Sequence, residues 1–232
     1  MKSPGDQEVE VKLRVEDLAA LRRRLARLKM RPVPHGRAHE RNTLFDTPQG
    51  GLAKHGQLLR IRLIEPSGKP RAAGGAVLTY KGPAVRATSD AQSKTRDSPK
   101  GRAQAKPFGS AQGRRYKIRE ELEARLDDPE QLRQILEALG LRGWFRYEKY
   151  RTSYQPPAGQ RWAAGLEVEL DETPIGVFLE LEGPPEAIDH AARLLGYGSA
   201  DYITKSYLAL YLDQCRKSGV PAGDMLFPRK KK

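Results

Sequence analysis

The chain has 232 residues, of which 38% are hydrophobic, and a single cysteine, Cys215. This length suffices for one good hydrophobic core, and the lone thiol excludes an internal disulfide and a zinc site built from several thiolates. The formal charge of +13 is concentrated in residues 86–115 and 229–232, which read as unfolded segments. Flexible basic segments attract polyanions weakly and in a salt-dependent way, so we expect no specific nucleic-acid partner.

The sequence also lacks the usual signals for a membrane. No apolar run approaches the roughly 20 residues that span a bilayer, and the first residues lack the apolar core of a signal peptide. We therefore expect a cytoplasmic protein with no membrane partner. The thiol of Cys215, on a predicted helix, is expected to pack rather than react.

The first predicted strand has one charged face and one aliphatic face. Side chains alternate across a strand, so Glu8, Glu10 and Lys12 share one face while residues 9, 11 and 13 share the other. One such strand alone is typical of a solvated sheet edge. Seven further strands are predicted, and most of them repeat the alternation: residues 41–45, 58–63, 77–81, 116–123, 147–151, 166–171 and 177–182.

Amphipathic helices are predicted between these strands. Helical spacing of apolar residues or a helix-start signal indicates helices near residues 18–30, 129–139, 185–195 and 202–212. Residues 35–39 read as a loop, and Tyr147 and Tyr207 are expected to pack. The composition of residues 84–113 predicts a disordered insertion, because it offers too little apolar surface to offset the entropy of ordering. One domain is expected over residues 1–215, followed by a basic flexible tail over 216–232.

Eight strands can close into a barrel, and the charged faces then meet in a lumen. Such a lumen would be lined by carboxylates and by cations: Glu8, Glu10, Glu121, Asp171, Glu180 and Glu182, and Lys12, Arg60, Arg62, Lys81, Arg119, Lys149 and Arg151. Burying these groups without ligands is costly. Divalent cations prefer carboxylate oxygens, and phosphates pair with Arg and Lys. The pattern therefore predicts a pocket for a metal-bound polyphosphate.

The ordered motifs resemble those of the CYTH superfamily, also called triphosphate tunnel metalloenzymes. This superfamily includes class IV adenylate cyclases, thiamine triphosphatases and inorganic triphosphatases. Residues 8–12 match its ExExK signature, and matching segments follow in order at 45–48, 59–62, 79–83, 119–121, 149–151, 170–172, 178–182 and 205–207. The insertion before Arg119 and the pair Arg41-Asn42 depart from the family pattern.

The resemblance implies an α+β fold, an eight-stranded antiparallel β-barrel (the triphosphate tunnel) covered by amphipathic helices. It implies that Mg²⁺ or Mn²⁺ is bound by Glu8, Glu10, Asp171, Glu180 and Glu182. It implies that the triphosphate is bound by Lys12, Arg60, Arg62, Lys81, Arg119, Arg151 and Lys205. Catalysis is assigned to Lys12, Glu10 and Glu180, and the role of Glu121 is left open.

The expected substrate is a small-molecule triphosphate: ATP, inorganic triphosphate or thiamine triphosphate. Residues 79–83 and the pattern around Glu180 look most like class IV adenylate cyclases, which favours conversion of ATP to cyclic AMP and pyrophosphate. Release of orthophosphate by an inorganic or thiamine triphosphatase is the alternative, and a non-catalytic polyanion-binding module is a third interpretation. The protein is expected to be a monomer or a homodimer.

Overall fold

The computed structural model describes residues 7–66, 74–84 and 115–228. The predicted insertion therefore lies almost entirely outside the described residues. The strands are β1 (Gln7–Arg14), β2 (Arg31–Asp46), β3 (Leu58–Pro66), β4 (Gly75–Lys81), β5 (Lys117–Leu126), β6 (Arg142–Gln155), β7 (Glu167–Thr173) and β8 (Gly176–Glu182). They form a closed antiparallel barrel in the order β1-β5-β4-β3-β2-β6-β7-β8. The predicted eight-stranded antiparallel barrel is confirmed.

In the part of the chain that the structure describes, five α-helices lie outside the barrel wall or at its end: α1 (Leu18–Arg27), α2 (Gly51–Lys54), α3 (Pro129–Ala138), α4 (Pro185–Leu194) and α5 (Tyr207–Ser218). Three of them begin where a side-chain oxygen accepts a hydrogen bond from a backbone N–H of the first turn: Asp17, Asp128 and Ser206. Across the described ranges, no helix is both long and apolar enough to cross a membrane.

The main hydrophobic core lies outside the barrel rather than within it. Val11 and Leu13 of β1 pack in one cluster with Leu21 and Leu25 of α1 and with Ile188 of α4. Because side chains alternate across a strand, this arrangement turns the charged face of β1 towards the barrel axis. The helices thus cover the aliphatic outer surface, and the charged residues are left to line the lumen.

Two predicted boundaries are wrong. Residues 35–39 belong to the continuous strand β2, where Ala38 and His39 pair with Arg151 and Tyr150 of β6 after a bulge. The bulge accommodates the turn-like composition of this segment without ending the strand. The last helix begins at Tyr207 rather than at residue 202, because Ile203 first forms an isolated bridge with Lys12.

Residues 216–228, assigned from the sequence to a flexible tail, lie against the barrel in the structure. Helix α5 continues to Ser218, and the following segment lies along the part of β6 that the shorter β7 does not reach. Glu148 N donates to the carbonyl of Met225, and Met225 N donates to the carbonyl of Arg146. The Met225 side chain is buried in a cluster with Tyr147 and Tyr207. Residues 229–232 lie outside the described residues.

We predict that this docked segment stabilises the barrel end. Met225→Ala removes a side chain that is 1% exposed, so the free energy of unfolding should fall by about 2–5 kcal/mol. Leu226→Ala is the matched control, since the adjacent Leu226 is 40% exposed. Urea unfolding of both variants measures the difference. Equal stability of the two variants would show that the segment does not hold the barrel end.

Candidate functional site

The lumen of the barrel is lined almost entirely by charged side chains. Its cations are Lys12, Arg60, Arg62, Lys81, Lys117, Arg119, Lys149 and Arg151. Its carboxylates are Glu8, Glu10, Glu121, Glu123, Glu180 and Glu182. Leu44, Leu58, Leu208 and the tyrosines at 147 and 207 line the end near α5. Apart from Asp171 and Lys205, the predicted site residues therefore come together around one cavity.

Three carboxylates of different strands meet at one place in this lumen. Glu8 of β1, Glu121 of β5 and Glu182 of β8 each offer an oxygen, and these oxygens lie within 4.8 Å of one another. Lys81 Nζ lies 2.6 Å from Glu8 and 3.0 Å from Glu121. Burial raises the pKa of Glu8, and the neighbouring carboxylates of Glu10 and Glu121 add to this effect. We call this trio the carboxylate cluster.

The carboxylate cluster fits a hard divalent cation. Mg²⁺ and Mn²⁺ prefer oxygen donors, and crowded buried carboxylates are stabilised by a cation between them. The structure thus brings together two of the predicted metal ligands, Glu8 and Glu182. Glu121, whose role the sequence left open, joins them because it shares the inward face of β5 with Arg119.

Lys12 lies between two further carboxylates. Its Nζ is 2.9 Å from Glu10 and 3.1 Å from Glu180. Burial alone would lower the pKa of Lys12, but the two carboxylates outweigh it and raise the pKa, so the side chain stays an ammonium. Burial would likewise raise the pKa of Glu10, but Lys12 and Lys117 together hold it well below its ordinary value. Neither group is suited to exchanging a proton near neutral pH.

Lys117 is a lumen residue to which no role was assigned from the sequence. It contacts Glu10 directly, and burial, together with the nearby charges of Lys12 and Arg119, lowers its pKa to about 8. Its position was readable from the alternation on β5, which places residues 117, 119 and 121 on one face. Motif matching missed it because the matched segment begins at Arg119.

Asp171, which the family resemblance assigns to metal binding, lies outside the carboxylate cluster. Its side chain is fully buried, with 0% exposure. It accepts hydrogen bonds from Lys149 Nζ at 2.9 Å, from Arg151 Nε and Nη2 at 2.7 Å each, and from Tyr207 Oη at 2.8 Å. Asp171 therefore orients two lumen cations, and Tyr207 connects α5 to the barrel as well as packing.

Lys205 also lies away from the lumen. Its ammonium is 2.6 Å from Asp213 of α5, and its side chain is 60% exposed. The isolated bridge at Ile203 and the helix cap at Ser206 fix the backbone on either side of it. This conformation directs Lys205 along the outer surface of α5. Lys205 is therefore not among the residues that line the lumen in the described part of the chain.

Glu40 is a buried lumen-side residue that sequence reasoning missed, because it was placed next to a predicted loop. Lys149 Nζ lies 3.4 Å from one carboxylate oxygen, and Arg62 Nη1 lies 3.7 Å from the other. Burial opposes its ionisation, but Lys149, Arg62 and Arg151 together hold its pKa well below the ordinary value. Glu40 therefore supplies a permanent negative charge behind these cations.

Arg60 makes its strongest contacts with neutral hydroxyl groups. Its Nη1 donates to Tyr147 Oη at 3.0 Å, and its Nη2 donates to Thr79 Oγ1 at 3.1 Å. Tyr147, expected only to pack, thus positions a lumen cation. By contrast, Arg151 contacts Asp171, Glu169 and Glu180. The cations of the lumen are held in place before any ligand enters.

A closed antiparallel barrel with a carboxylate cluster and fixed cations in its lumen defines a tunnel-type protein equipped for a metal ion and an anion. The family model described as CYTH domain matches residues 6–207. The chain belongs to the CYTH domain family. No curated protein matches the sequence significantly.

Solved structures show the same fold. A protein from Vibrio parahaemolyticus, described as a candidate adenylate cyclase, is 18% identical, with a TM-score of 0.63 over 89% of this chain and 98% of that chain. PH1819 from Pyrococcus horikoshii is 23% identical, with a TM-score of 0.60 over 89% and 99%. HpAC1 from Hippeastrum is 20% identical, with a TM-score of 0.51 over 93% and 97%. At these identities the comparisons establish the fold alone.

The free energy of unfolding in metal-free buffer should distinguish a carboxylate that pairs with buried cations from one that belongs to the carboxylate cluster. Asp171→Asn leaves buried cations with a weaker partner, so we expect the free energy of unfolding to fall by about 3–5 kcal/mol. Glu182→Gln removes one of three crowded charges, so we expect a change below about 1 kcal/mol. Chemical denaturation in EDTA measures both values. If Glu182→Gln lowered the free energy of unfolding more than Asp171→Asn, Glu182 rather than Asp171 would be the carboxylate that stabilises buried cations.

Proposed function

We propose that this protein is a metal-dependent enzyme that binds the triphosphate group of a small molecule inside the barrel and catalyses reaction at phosphorus. The observation that carries this proposal is the placement of the carboxylate cluster beside fixed cations in one closed lumen. The oxygen donors suit Mg²⁺ or Mn²⁺, and the Lys and Arg side chains suit phosphate oxygens. Opposite charges in a single cavity match a ligand that is itself a cation–polyanion complex.

The chain's own residues divide this work. The carboxylate cluster, with Glu10 and Glu180 nearby, holds the metal end, and a bound divalent ion would stabilise the charge that develops on phosphate oxygens. Lys12 stays an ammonium between Glu10 and Glu180, so it donates to a phosphate oxygen without reorienting. Asp171 and Glu40 hold Lys149 and Arg151 in place along the opposite wall.

Adenylate cyclase activity is the leading assignment of the reaction. In this reaction the 3′-hydroxyl oxygen of ATP bonds to the α-phosphorus while the bond from that phosphorus to the pyrophosphate oxygen breaks. The hydroxyl proton is released and pyrophosphate leaves. The likeness of residues 79–83 and of the region around Glu180 to class IV adenylate cyclases supports this assignment. The Vibrio relative is also described as a candidate adenylate cyclase.

Triphosphate hydrolysis is the second candidate, because the same charged lumen also suits attack by water on a terminal phosphorus. The Hippeastrum relative, called a candidate adenylyl cyclase, has a dominant triphosphatase activity according to its description. A polyanion-binding module without catalysis is disfavoured, because the carboxylate cluster would repel a phosphate backbone. The cytoplasmic location and the monomeric or dimeric state stay predictions from the sequence.

The purified protein should turn over at least one of ATP, inorganic triphosphate and thiamine triphosphate with Mg²⁺ or Mn²⁺, and turnover should stop in EDTA. Phosphorus NMR and chromatography identify cyclic AMP with pyrophosphate for a cyclase, or orthophosphate for a triphosphatase. Pyrophosphate without cyclic AMP would contradict the cyclase assignment, and no metal-dependent turnover of any of the three would contradict the proposed function.

Two substitutions test whether the reaction takes place in the lumen. Glu10→Gln and Glu180→Gln should each lower metal-dependent turnover at least about 100-fold, because each removes a charge that faces Lys12. Glu120→Gln is the control, since exposed Glu120 lies on the outward face of β5. Initial rates at saturating metal give the comparison. Turnover by both lumen variants that equals the control would exclude Glu10 and Glu180 from the site.

A further inference from the structure

Buried polar atoms without hydrogen-bond partners are concentrated on one wall of the barrel. Within the described ranges, six of the seven such side-chain atoms belong to β2 and β3. One is Nε2 of His39, on the other face of β2, and the remaining five are Oε2 of Glu40, Oδ1 and Nδ2 of Asn42, Nε of Arg60 and Nε of Arg62. Asn42 lies opposite Arg62 of β3 and opposite Tyr147 of β6 in the strand register. We call these atoms the β2–β3 polar wall.

Asn42 is the centre of this wall. Its side chain is 1% exposed, yet neither its amide oxygen nor its amide nitrogen has a partner. A buried polar group without a hydrogen bond costs about 1–3 kcal/mol. Leu44, two residues further on the same face, shows that this strand face accepts an aliphatic residue. Asn42 therefore calls for a partner that the described residues do not provide.

The lumen is the side from which such a partner would reach Asn42. Leu44, Arg62 and Tyr147, its neighbours along and across the strands, all line the lumen. Arg60 donates from one terminal nitrogen to Tyr147 and from the other to Thr79, whereas its Nε has no hydrogen-bond partner among the described residues. The polar wall thus lies directly beside the cavity that contains the carboxylate cluster.

The chemistry of the wall differs from that of a phosphate site. Arg60 Nε, Arg62 Nε and the Asn42 amide nitrogen are donors, and a phosphate would satisfy them. The Asn42 amide oxygen and Glu40 Oε2 are acceptors, and a fully ionised phosphate offers them no hydrogen. Lys149 Nζ lies 3.4 Å from Glu40 Oε2 but does not hydrogen-bond to it. A group that both donates and accepts, such as a hydroxyl or an amine, matches both kinds of atom on the wall.

We propose that the β2–β3 polar wall is a subsite for the neutral, hydroxyl- or amine-bearing group attached to the triphosphate, and that Asn42 determines specificity for it. This inference rests on the proposed function and narrows its substrate class to organic triphosphates such as nucleoside triphosphates. Sugar hydroxyls and the amino edge of a base share the required chemistry. Inorganic triphosphate carries neither group and leaves the wall unpaired.

Asn42→Leu tests this subsite, because leucine is similar in size and forms no hydrogen bonds. For ATP, kcat/KM should fall on the order of 10- to 100-fold, the loss expected for one or two buried hydrogen bonds. For inorganic triphosphate, kcat/KM should change less than about twofold. Thr43→Ala is the matched control, since Thr43 lies on the opposite face of β2. If Asn42→Leu does not fold, Asn42→Ala replaces it in the same measurements.

Three ATP analogues distinguish a sugar hydroxyl from a base amine as the group that the wall recognises. If a sugar hydroxyl binds, 2′-deoxy-ATP or 3′-deoxy-ATP should bind the wild type more weakly than ATP, and Asn42→Leu should remove the difference. If the base amine binds, purine riboside triphosphate should show that pattern. Calorimetric titration in Ca²⁺, with wild type and variant side by side, gives the affinities without turnover.

Three outcomes would overturn the inference. An equal loss of kcat/KM for ATP and for inorganic triphosphate in Asn42→Leu would show that Asn42 stabilises the polar wall without binding the organic group. Unchanged kcat/KM of Asn42→Leu for both substrates would show that water, and not the substrate, forms the hydrogen bonds of the polar wall. A wild type that prefers inorganic triphosphate to ATP would exclude an organic group as the occupant. Metal-dependent turnover of ATP, inorganic triphosphate or thiamine triphosphate by the wild type supports the proposed function whatever Asn42→Leu does, so the two proposals fail separately.

Discussion

The closure of the β-sheet around its own charged face is the constraint on which the structure depends. In an open antiparallel sheet the polar face would meet water and the aliphatic face would meet helices. Here α1 and α4 cover the aliphatic face of β1, and closure places Glu8, Glu10 and Lys12 in a confined lumen. Charges that would be ordinary surface groups become close, weakly solvated neighbours, and their interactions strengthen accordingly.

These buried charges are stabilised by pairing across strands. Asp171 receives four hydrogen bonds, three of them from lysine and arginine, and Lys12 bridges Glu10 and Glu180. Each pair fixes a cation where a ligand oxygen can meet it, which is preorganisation of the kind that favours charge stabilisation in a transition state. The carboxylate cluster differs, because three carboxylates of like charge crowd together, two of them beside Lys81. Such crowding favours a divalent cation among their oxygens.

The alternation of charged and aliphatic residues was sufficient to predict the barrel and most of its lumen. The pattern can be read within each strand separately. The number of predicted strands, eight, then indicated that the sheet can close into a barrel. Contacts that depend on three-dimensional packing were not readable in this way. Asp171 and Glu182 look alike as acidic residues of one hairpin, but only the register decides that Asp171 meets Arg151 and Tyr207. Glu40 was missed because the bulge that continues β2 has no clear sequence signal.

The C-terminal region shows the same limit. Lys205 was assigned from its match to a family motif and residues 216–228 from charge and composition, and neither kind of signal reports where a segment docks. A single buried side chain, Met225, and two backbone hydrogen bonds attach this segment to the edge of β6. In the sequence, Asn42 is only a polar residue on a predicted barrel strand. The structure shows that its side-chain amide has no hydrogen-bond partner among the described residues.

The most direct test of the account is the location of the metal. Crystals of the protein grown with Mn²⁺ and imidotriphosphate, measured at the manganese absorption edge, give an anomalous map. The account predicts a manganese peak between Glu8, Glu121 and Glu182, with phosphate density extending from it towards Lys12 and Arg119. A lumen without manganese, with the peak on the outer surface, would contradict it.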